Sequence, residues 1–216
     1  MNFRKKYGLT GGGIIVLLII LVFVGRRLHG SAPVVHLNNS KVKGPANARV
    51  HMVEYSDFQC TACRAAFQPV EELRSEYEKQ IRLEFRHFPL ERAHRWSLTA
   101  ASFAECAAEQ GKFWEFHDRL FQEQGTWSVS EGALLFFAQV AQGLRLNTEK
   151  LEQCLKNPET TARIRRERSA GEKQGVQSTP TIFINGRPLI GAQQLREQGK
   201  AIVEEELNKP GSSRKK

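Results

Sequence analysis

A long stretch of purely helical periodicity separates two regions of predicted β-structure, and this order restricts the fold more than any other feature of the sequence. Residues 50–55 and 81–88 are predicted strands, because the first is rich in β-branched and aromatic residues and the second alternates apolar and polar residues. Near the other end, an Asn-Gly dipeptide joins two apolar runs within residues 181–190, which is typical of a hairpin. The order predicts an α/β layer fold with a helical insertion at about residues 91–158.

Helical spacing of apolar residues predicts the helices on either side of these strands. They lie at residues 60–80, 94–109, 112–123, 130–143, 148–156, 159–173 and 193–208. Pro69 falls inside the first helix and is expected to kink it. Pro188 has no backbone donor, so the second strand of the hairpin is expected at an edge of the sheet.

The formal net charge of +9 comes from the two ends of the chain. Residues 1–48 hold seven Lys or Arg and no acidic residue, and a basic tail at residues 209–216 holds four. The remaining 21 basic and 23 acidic residues give residues 49–208 a slightly negative charge. Nucleic-acid-binding domains concentrate positive charge on their folded surface, so the sequence predicts no nucleic-acid partner.

The first 25 residues have the pattern of a membrane-targeting segment. Residues 1–6 are predicted as a basic cytoplasmic tail and residues 7–25 as a signal anchor, that is, a single transmembrane helix. Arg26 and Arg27 follow where a cleavage site favours small neutral residues, so an uncleaved anchor is preferred over a cleaved secretion signal. Residues 26–48, rich in Gly, Pro and Asn, are predicted as a linker. Both alternatives place the folded domain outside the cytoplasm, in the periplasm.

Cys60-Thr61-Ala62-Cys63 forms a C-x-x-C sequence at the junction of a predicted strand and a predicted helix. At the start of a helix, unpaired backbone N–H groups and the helix dipole stabilise a thiolate, which is the reactive form of cysteine. Cys63 lies one turn later, close enough to form a disulfide with Cys60. The pattern predicts thiol–disulfide exchange, in which one sulfur is attacked and the other resolves the mixed disulfide.

Two other roles for the C-x-x-C sequence remain open. Half of a zinc site is one, although no second C-x-x-C or H-x-x-x-H sequence supplies the missing ligands. A purely structural disulfide is the other, although closing so short a loop stabilises a fold little. The histidines also lack metal-binding spacing, and packing or capping is expected for His87, His94 and His117. No metal site is predicted.

The segments around these cysteines resemble the DsbA-like branch of the thioredoxin superfamily. The similarity covers about residues 42–207 and rests on VHMVEYSDFQCTACRAAF, FRHFPL, AAEQGKFWEFHDRLF and GVQSTPTIFINGRPLIGA. It implies a thioredoxin-like α/β fold with an inserted helical domain over residues 49–208. It also implies a protein disulfide oxidoreductase that needs no cofactor other than the redox-active disulfide Cys60–Cys63.

The resemblance also implies roles for residues outside the C-x-x-C sequence. Pro180 matches a proline that follows a cis bond and faces the cysteines, and the backbone of Thr179 would then pair with a substrate peptide. An ordinary trans bond is the alternative. Glu54 matches a buried acid that relays protons to the inner cysteine, with an exposed strand carboxylate as the alternative. Phe58, two residues before Cys60, is expected to be exposed and to contact substrate.

Cys106 and Cys154 lie in the helical block, where similar relatives often carry cysteines. A structural disulfide between them is preferred in an oxidising compartment, and two buried free thiols are the alternative. Thr61-Ala62 stands where the best-known oxidases carry Pro-His, which suggests a weaker oxidant and leaves the direction of electron flow open.

Three functions follow from the resemblance and the cysteine pattern. The preferred one is disulfide formation in unfolded or thiol-containing exported proteins, with reoxidation by a quinone-linked partner in the membrane. The second is a reductase or isomerase that a membrane thiol donor keeps reduced. The third is not an enzyme: a metal-carrier module that binds a metal ion through the Cys60 and Cys63 thiolates.

Overall fold

The computed structural model describes residues 39–210. The predicted cytoplasmic tail and signal anchor, the first part of the predicted linker and residues 211–216 lie outside the described residues. Within residues 39–210, no helix has both the length and the apolar character needed to cross a membrane.

The strands of the described chain form one mixed sheet. They are β1 (Val42–Lys43), β2 (Val50–Ser56), β3 (Ile81–His87), β4 (Thr181–Ile184) and β5 (Arg187–Ile190). Their order is β1-β3-β2-β4-β5, in which β2 and β3 are parallel and the other neighbours are antiparallel. The sheet joins strands from both ends of the domain, as the order of elements predicted, and β5 lies at an edge, as expected from Pro188.

The helices agree closely with those predicted from periodicity. They are α1 (Thr61–Glu76), α2 (Ser97–Ala108), α3 (Phe113–Gln122), α4 (Gln124–Trp127), α5 (Ala133–Gly143), α6 (Thr148–Lys156), α7 (Pro158–Lys173) and α8 (Gly191–Asn208). The short helix α4 was not predicted, because a single turn carries no periodic signal. Pro69 lies within α1, which continues to Glu76, and its side chain is buried. The thioredoxin-like fold with a helical insertion is therefore confirmed.

One face of the sheet packs against α1 and α8. Val50 and Met52 of β2 are buried there with Val70 and Leu73 of α1 and Ile202 of α8. The alternation of side chains along β2 brings Glu54 to the same face as Val50 and Met52, because residues two apart share a face. A carboxyl group thus enters an apolar layer directly before the C-x-x-C sequence.

The helical insertion has a core of its own, built mainly from aromatic side chains. Its largest buried members are Phe103, Phe113, Phe116, Phe121, Trp127 and Phe137. The structure joins Cys106 of α2 to Cys154 of α6 in a disulfide, with an S–S distance of 2.02 Å. Of the two alternatives for this pair, the structure has the disulfide.

The folded domain begins earlier in the chain than the sequence indicated. The prediction of a linker through residue 48 is wrong for residues 39–43, since Val42–Lys43 pairs with β3. Lys41 is buried, and its Nζ lies 2.8 Å from Glu105 Oε2 and 2.5 Å from Glu167 Oε1. A lysine in a Gly- and Pro-rich stretch is typical of a solvated loop, and only the two carboxylates brought by α2 and α7 make its burial favourable.

Candidate active site

The turn that connects β2 to α1 ends at Cys60, the first cysteine of the C-x-x-C sequence. It comprises residues 57–60 and is called the active-site turn below. The Cys60 N–H donates to the Asp57 carbonyl at 3.1 Å, and the Cys60 carbonyl accepts from Arg64 N at 3.1 Å. Cys60 occupies the N-cap position of α1 with an extended backbone, so its side chain lies at the end of the helix where N–H groups are unpaired. The placement expected from the sequence is confirmed.

A glutamine from the insertion holds this turn in place. The Nε2 of Gln124 donates to the Phe58 carbonyl at 2.8 Å and to the Cys60 carbonyl at 2.9 Å, and the Gln124 side chain is buried. The Phe58 carbonyl, which no strand or helix satisfies, is thereby paired, and the Cys60 carbonyl gains a second donor beside Arg64 N. No local pattern predicts this contact, because α4 is too short to show periodicity and the partners of Gln124 lie more than sixty positions away.

Phe58 is part of the core and not of the exposed surface, which corrects the expectation that it contacts substrate. Its side chain is only 1% exposed. The ring stacks on Phe85 of β3 at 5.1 Å between centroids and packs at the same distance against Phe121 of α3. The turn after β2 directs this ring between the sheet and the insertion, a direction that its spacing from Cys60 does not determine.

The two cysteines are free thiols with unequal surroundings. Cys60 is 9% exposed and Cys63 is fully buried. The Cys60 Sγ lies 3.5 Å from the Thr179 carbonyl oxygen, to which it can donate. The Cys63 Sγ accepts from the Asp57 N–H at 3.4 Å. The Thr179–Pro180 peptide bond is cis, as the resemblance implied.

Hydrogen bonding and burial separate the acidities of the two thiols. A hydrogen bond from the Cys63 side chain lowers the pKa of Cys60 to about 5, against the opposing effect of burial. The Thr179 side chain and the backbone N–H groups at the start of α1 lower this pKa further. Burial, followed by the neighbouring Cys60, raises the pKa of Cys63 well above its ordinary value. The outer sulfur is therefore a thiolate at neutral pH, while the inner one keeps its proton.

Glu54 is a buried acid, and the alternative of an exposed strand carboxylate is wrong. It is 2% exposed, and burial raises its pKa from 4.5 to about 7, although a hydrogen bond with Ser56 acts in the opposite direction. Its Oε1 has no hydrogen-bond partner among residues 39–210. A carboxyl group of this kind exchanges protons near neutral pH.

Asp57 and His94 form a pair beside the cysteines that the sequence did not reveal. The Asp57 side chain is buried, and its Oδ2 lies 2.8 Å from the Nδ1 of His94. Hydrogen bonding to Asp57 raises the pKa of His94, and the charge of Cys60 contributes in the same direction. Only packing or capping was expected of His94, because its two partners lie in a segment more than thirty positions earlier.

No group of three or more His, Cys, Asp or Glu side chains in the described part of the chain is arranged to hold a metal ion. The C-x-x-C pair thus stands without a third ligand of these types from residues 39–210.

Comparison with known proteins identifies the family. The sequence profile of the family described as Thioredoxin matches residues 37–204. The chain belongs to the thioredoxin family. The matched range includes both cysteines of the active-site region and the Thr179–Pro180 loop, so the family assignment covers every residue of the candidate site.

Solved structures show that this thioredoxin-family chain has a DsbA-like fold. Alpha-DsbA1 from Wolbachia pipientis superposes with a TM-score of 0.67 and 22% identity, over 77% of this chain and 92% of that chain. A thioredoxin-like oxidoreductase from Silicibacter pomeroyi DSS-3 superposes with a TM-score of 0.63 and 26% identity, over 80% of this chain and 98% of that chain.

A curated relative of this thioredoxin-family chain is much longer. The Na(+)/H(+) antiporter NhaA 3 of Salinispora tropica is 35% identical over 162 residues, which are 75% of this chain and 24% of the antiporter. The chain therefore spans about a quarter of the length of this relative.

Proposed function

We propose that the domain catalyses thiol–disulfide exchange with protein substrates, with Cys60 as the nucleophile and Cys63 as the resolving cysteine. The observation that carries this proposal is the difference between the two sulfurs. Cys60 keeps 9% of its surface exposed and has a pKa lowered to about 5, whereas Cys63 is fully buried with a raised pKa. A substrate sulfur therefore reaches Cys60 first, and Cys63 acts only from within the domain.

Oxidation of a substrate dithiol proceeds in two balanced steps. A substrate thiolate attacks the Cys60 sulfur of the oxidised domain, the Cys60–Cys63 bond breaks, and Cys63 leaves as a thiolate that takes up a proton. The second substrate thiol loses its proton and attacks the substrate sulfur of the mixed disulfide, and Cys60 leaves as a thiolate. Two electrons pass from the substrate to the domain. The low pKa of Cys60 makes it a good leaving group in the second step.

Glu54 is assigned the proton transfer at Cys63. The leaving Cys63 thiolate is unstable because burial disfavours the charged form, so it needs a proton donor inside the domain. Glu54 lies on β2 before the active-site turn, and its pKa of about 7 leaves it protonated in a large fraction of molecules near neutral pH. The carboxyl group gives the proton and regains it from solvent after the exchange.

The loop before β4 is assigned the binding of the substrate backbone. The Thr179 carbonyl lies 3.5 Å from the Cys60 sulfur, so a peptide whose cysteine is joined to Cys60 must pass this loop. An extended peptide pairs with a free backbone edge in the manner of an added strand.

We further propose that the domain promotes disulfide formation outside the cytoplasm. The lowered pKa of Cys60 stabilises the reduced form and therefore favours oxidation of the substrate. The Cys106–Cys154 disulfide and the apolar segment within residues 7–25 are typical of an exported protein held at the inner membrane. Its partners are exported proteins with free thiols and a quinone-linked membrane oxidase, and no cofactor beyond the Cys60–Cys63 disulfide takes part.

In the test, the oxidised full chain is mixed with a reduced peptide that contains two cysteines. The loss of peptide thiols measures the exchange. We expect the wild type to oxidise about one equivalent of peptide, Cys60→Ala to oxidise none, and a Cys106→Ala/Cys154→Ala variant, as the matched control, to oxidise nearly as much as the wild type. Reduction of an oxidised peptide without oxidation of a reduced one would favour the reductase alternative. Stoichiometric metal in the purified chain without any exchange would favour the metal carrier.

A further inference from the structure

The two residues between the cysteines supply no charge to the Cys60 sulfur. Thr61 and Ala62 have neutral side chains. Arg64, the charged residue of the first turn of α1, is not among the groups that lower the pKa of Cys60. A cation that adds to the hydrogen bonds at Cys60 must therefore come from another part of the chain.

Asp57 connects the cysteines to an imidazole on a different segment. Its backbone N–H donates to the Cys63 Sγ at 3.4 Å, and its carbonyl accepts from the Cys60 N–H at 3.1 Å. Its buried carboxylate binds His94, with 2.8 Å between Asp57 Oδ2 and His94 Nδ1. One residue thus contacts the Cys63 sulfur, the Cys60 backbone and the imidazole ring.

The segment that carries His94 is attached to the active-site turn at further points. The Leu90 N–H donates to Asp57 Oδ2 at 2.9 Å, and the Trp96 N–H donates to the side-chain oxygen of Gln59 at 2.7 Å. Contacts on both sides of His94 fix the position of its backbone relative to the active-site turn. The imidazole is therefore held beside the turn by the fold and not only by its own hydrogen bond.

The charges around His94 favour its protonated form. The hydrogen bond to Asp57 is the main cause of the raised pKa of His94, burial acts against it, and the charges of Asp57 and Cys60 add to it. On its own segment, Arg95 pairs with Glu131 and Glu91 with Arg165. Arg92 is exposed and is not among the groups that shift the pKa of His94. Asp57 and Cys60 are thus the groups that act on the imidazole within the described part of the chain.

We propose that His94, held in place by Asp57, is the cation that stabilises the Cys60 thiolate in this chain. The inference rests on the exchange function proposed above and deepens it. His94 is a positioning residue: it forms no bond during the exchange, and it shifts the balance between thiol and thiolate at Cys60. The imidazolium supplies a positive charge near Cys60, which the neutral side chains of Thr61 and Ala62 do not provide.

Reciprocal linkage gives a test on the unmodified protein. If the imidazolium stabilises the thiolate, the thiolate must stabilise the imidazolium to the same extent, and the oxidised form has no thiolate. Since the pKa of Cys60 is lowered to about 5, the thiolate is present while the imidazole titrates. NMR titration of the full chain should show a His94 pKa higher in the reduced than in the oxidised form by about half a unit to one unit. Equal values in the two forms would overturn the proposal.

His51 is the matched control in this titration. It lies on β2, where its backbone binds Asn185 at the turn of the hairpin, and no contact joins it to Asp57 or Cys60 in the described structure. At a fixed pH, oxidation should leave the ring signals of His51 unchanged. A shift of His51 as large as that of His94 would show a general effect of oxidation and would contradict the specific pairing.

A charge-removing variant separates the charge of His94 from its structural role. His94→Gln keeps a side-chain donor for Asp57 and removes the cation, so the variant should fold with a near-wild-type unfolding midpoint. We expect the Cys60 pKa to rise by about half a unit to one unit, which is about a three- to tenfold decrease in the acid dissociation constant of the thiol. His51→Gln should leave it unchanged. A folded His94→Gln variant with an unchanged Cys60 pKa would overturn the proposal.

The peptide exchange assay keeps this inference distinct from the proposed function. A wild type that exchanges disulfides, combined with a His94→Gln variant of unchanged Cys60 pKa, would contradict the role of His94 alone. A wild type that exchanges nothing would contradict the proposed function itself.

Discussion

The Sγ atom of Cys60 lies 3.5 Å from the carbonyl oxygen of Thr179, a residue 119 positions further along the chain. The contact joins the start of α1 to the loop before β4, so one side of the sulfur rests against backbone. The remaining exposed side is where a substrate sulfur must approach. The sulfur that exchanges bonds and the backbone proposed to bind the substrate peptide are therefore adjacent.

Removal of the inner cysteine should trap the intermediate of the exchange. In Cys63→Ala the substrate remains joined to Cys60, because no internal thiolate is present to displace it. We expect a stable mixed disulfide with a peptide disulfide, detected by mass spectrometry and released by reductant. The control is Cys60→Ala, in which the remaining Cys63 is buried. Faster trapping by Cys60→Ala than by Cys63→Ala would reverse the assignment of the nucleophile.

The buried carboxyl group of Glu54 should make stability depend on pH. Its pKa is about 7 in the folded chain and close to 4.5 in the unfolded chain, so the folded state binds a proton that the unfolded state releases. Protonated Glu54 therefore contributes to the free energy of unfolding fully below about pH 4.5. About 3 kcal/mol of this contribution is lost as the pH rises through about 7.

Glu54→Gln removes this titration, and the exposed Glu72→Gln is its control. Denaturant unfolding at several pH values should show that the wild type loses stability relative to Glu54→Gln as the pH rises, whereas Glu72→Gln follows the wild type. Parallel curves for the wild type and Glu54→Gln would contradict the raised pKa. We also expect slower exchange by Glu54→Gln, because the proton donor for Cys63 is lost.

Loss of the second disulfide should weaken the fold without stopping the exchange. Cys106 and Cys154 are 48 positions apart. A disulfide that closes a loop of this length stabilises the folded state by about 4 kcal/mol, because it lowers the entropy of the unfolded chain. The variant Cys106→Ala/Cys154→Ala should lose about this much in denaturant unfolding and still oxidise the peptide at a temperature where it is folded. A wild-type unfolding midpoint in the variant would show that the pair is not joined in solution.

Truncation of Phe58 should act on stability, because the ring is in the core. Phe58→Ala removes contacts with Phe85 and Phe121 and should cost about 3 to 5 kcal/mol in the free energy of unfolding. Val129→Ala is the matched control, since Val129 is 85% exposed and its loss should change stability by less than about 0.5 kcal/mol. A small effect of Phe58→Ala on stability, together with a large effect on peptide binding, would restore the role in substrate contact.

Local patterns were sufficient for most of the fold. The alternation in residues 81–88 and the Asn185-Gly186 turn determine strands and a hairpin over a few neighbouring residues, and the structure has them at these positions. Cys60 was placed at the start of a helix by the same kind of local argument. The buried state of Glu54 followed from the family resemblance, since a single acidic residue in a strand carries no signal of burial.

The remaining features depend on partners that are distant in sequence. Lys41 is buried because Glu167, 126 positions away, supplies a carboxylate. His94 acts on the active-site turn through Asp57, 37 positions earlier. No periodicity connects such residues, because their contact is created only when separate elements pack together. The ring of Phe58 was misplaced for a similar reason: the space that it fills is formed by β3 and α3.

The ionisation of the two thiols in the reduced full chain tests the central claim most directly. Thiolate absorbance is followed as a function of pH in the wild type, and Cys60→Ala assigns the step at low pH to one sulfur. One thiol should ionise with a pKa of about 5 and be lost in Cys60→Ala, while the other stays protonated through neutral pH. Two thiols that both ionise only above about pH 8, as ordinary cysteines do, would contradict the account.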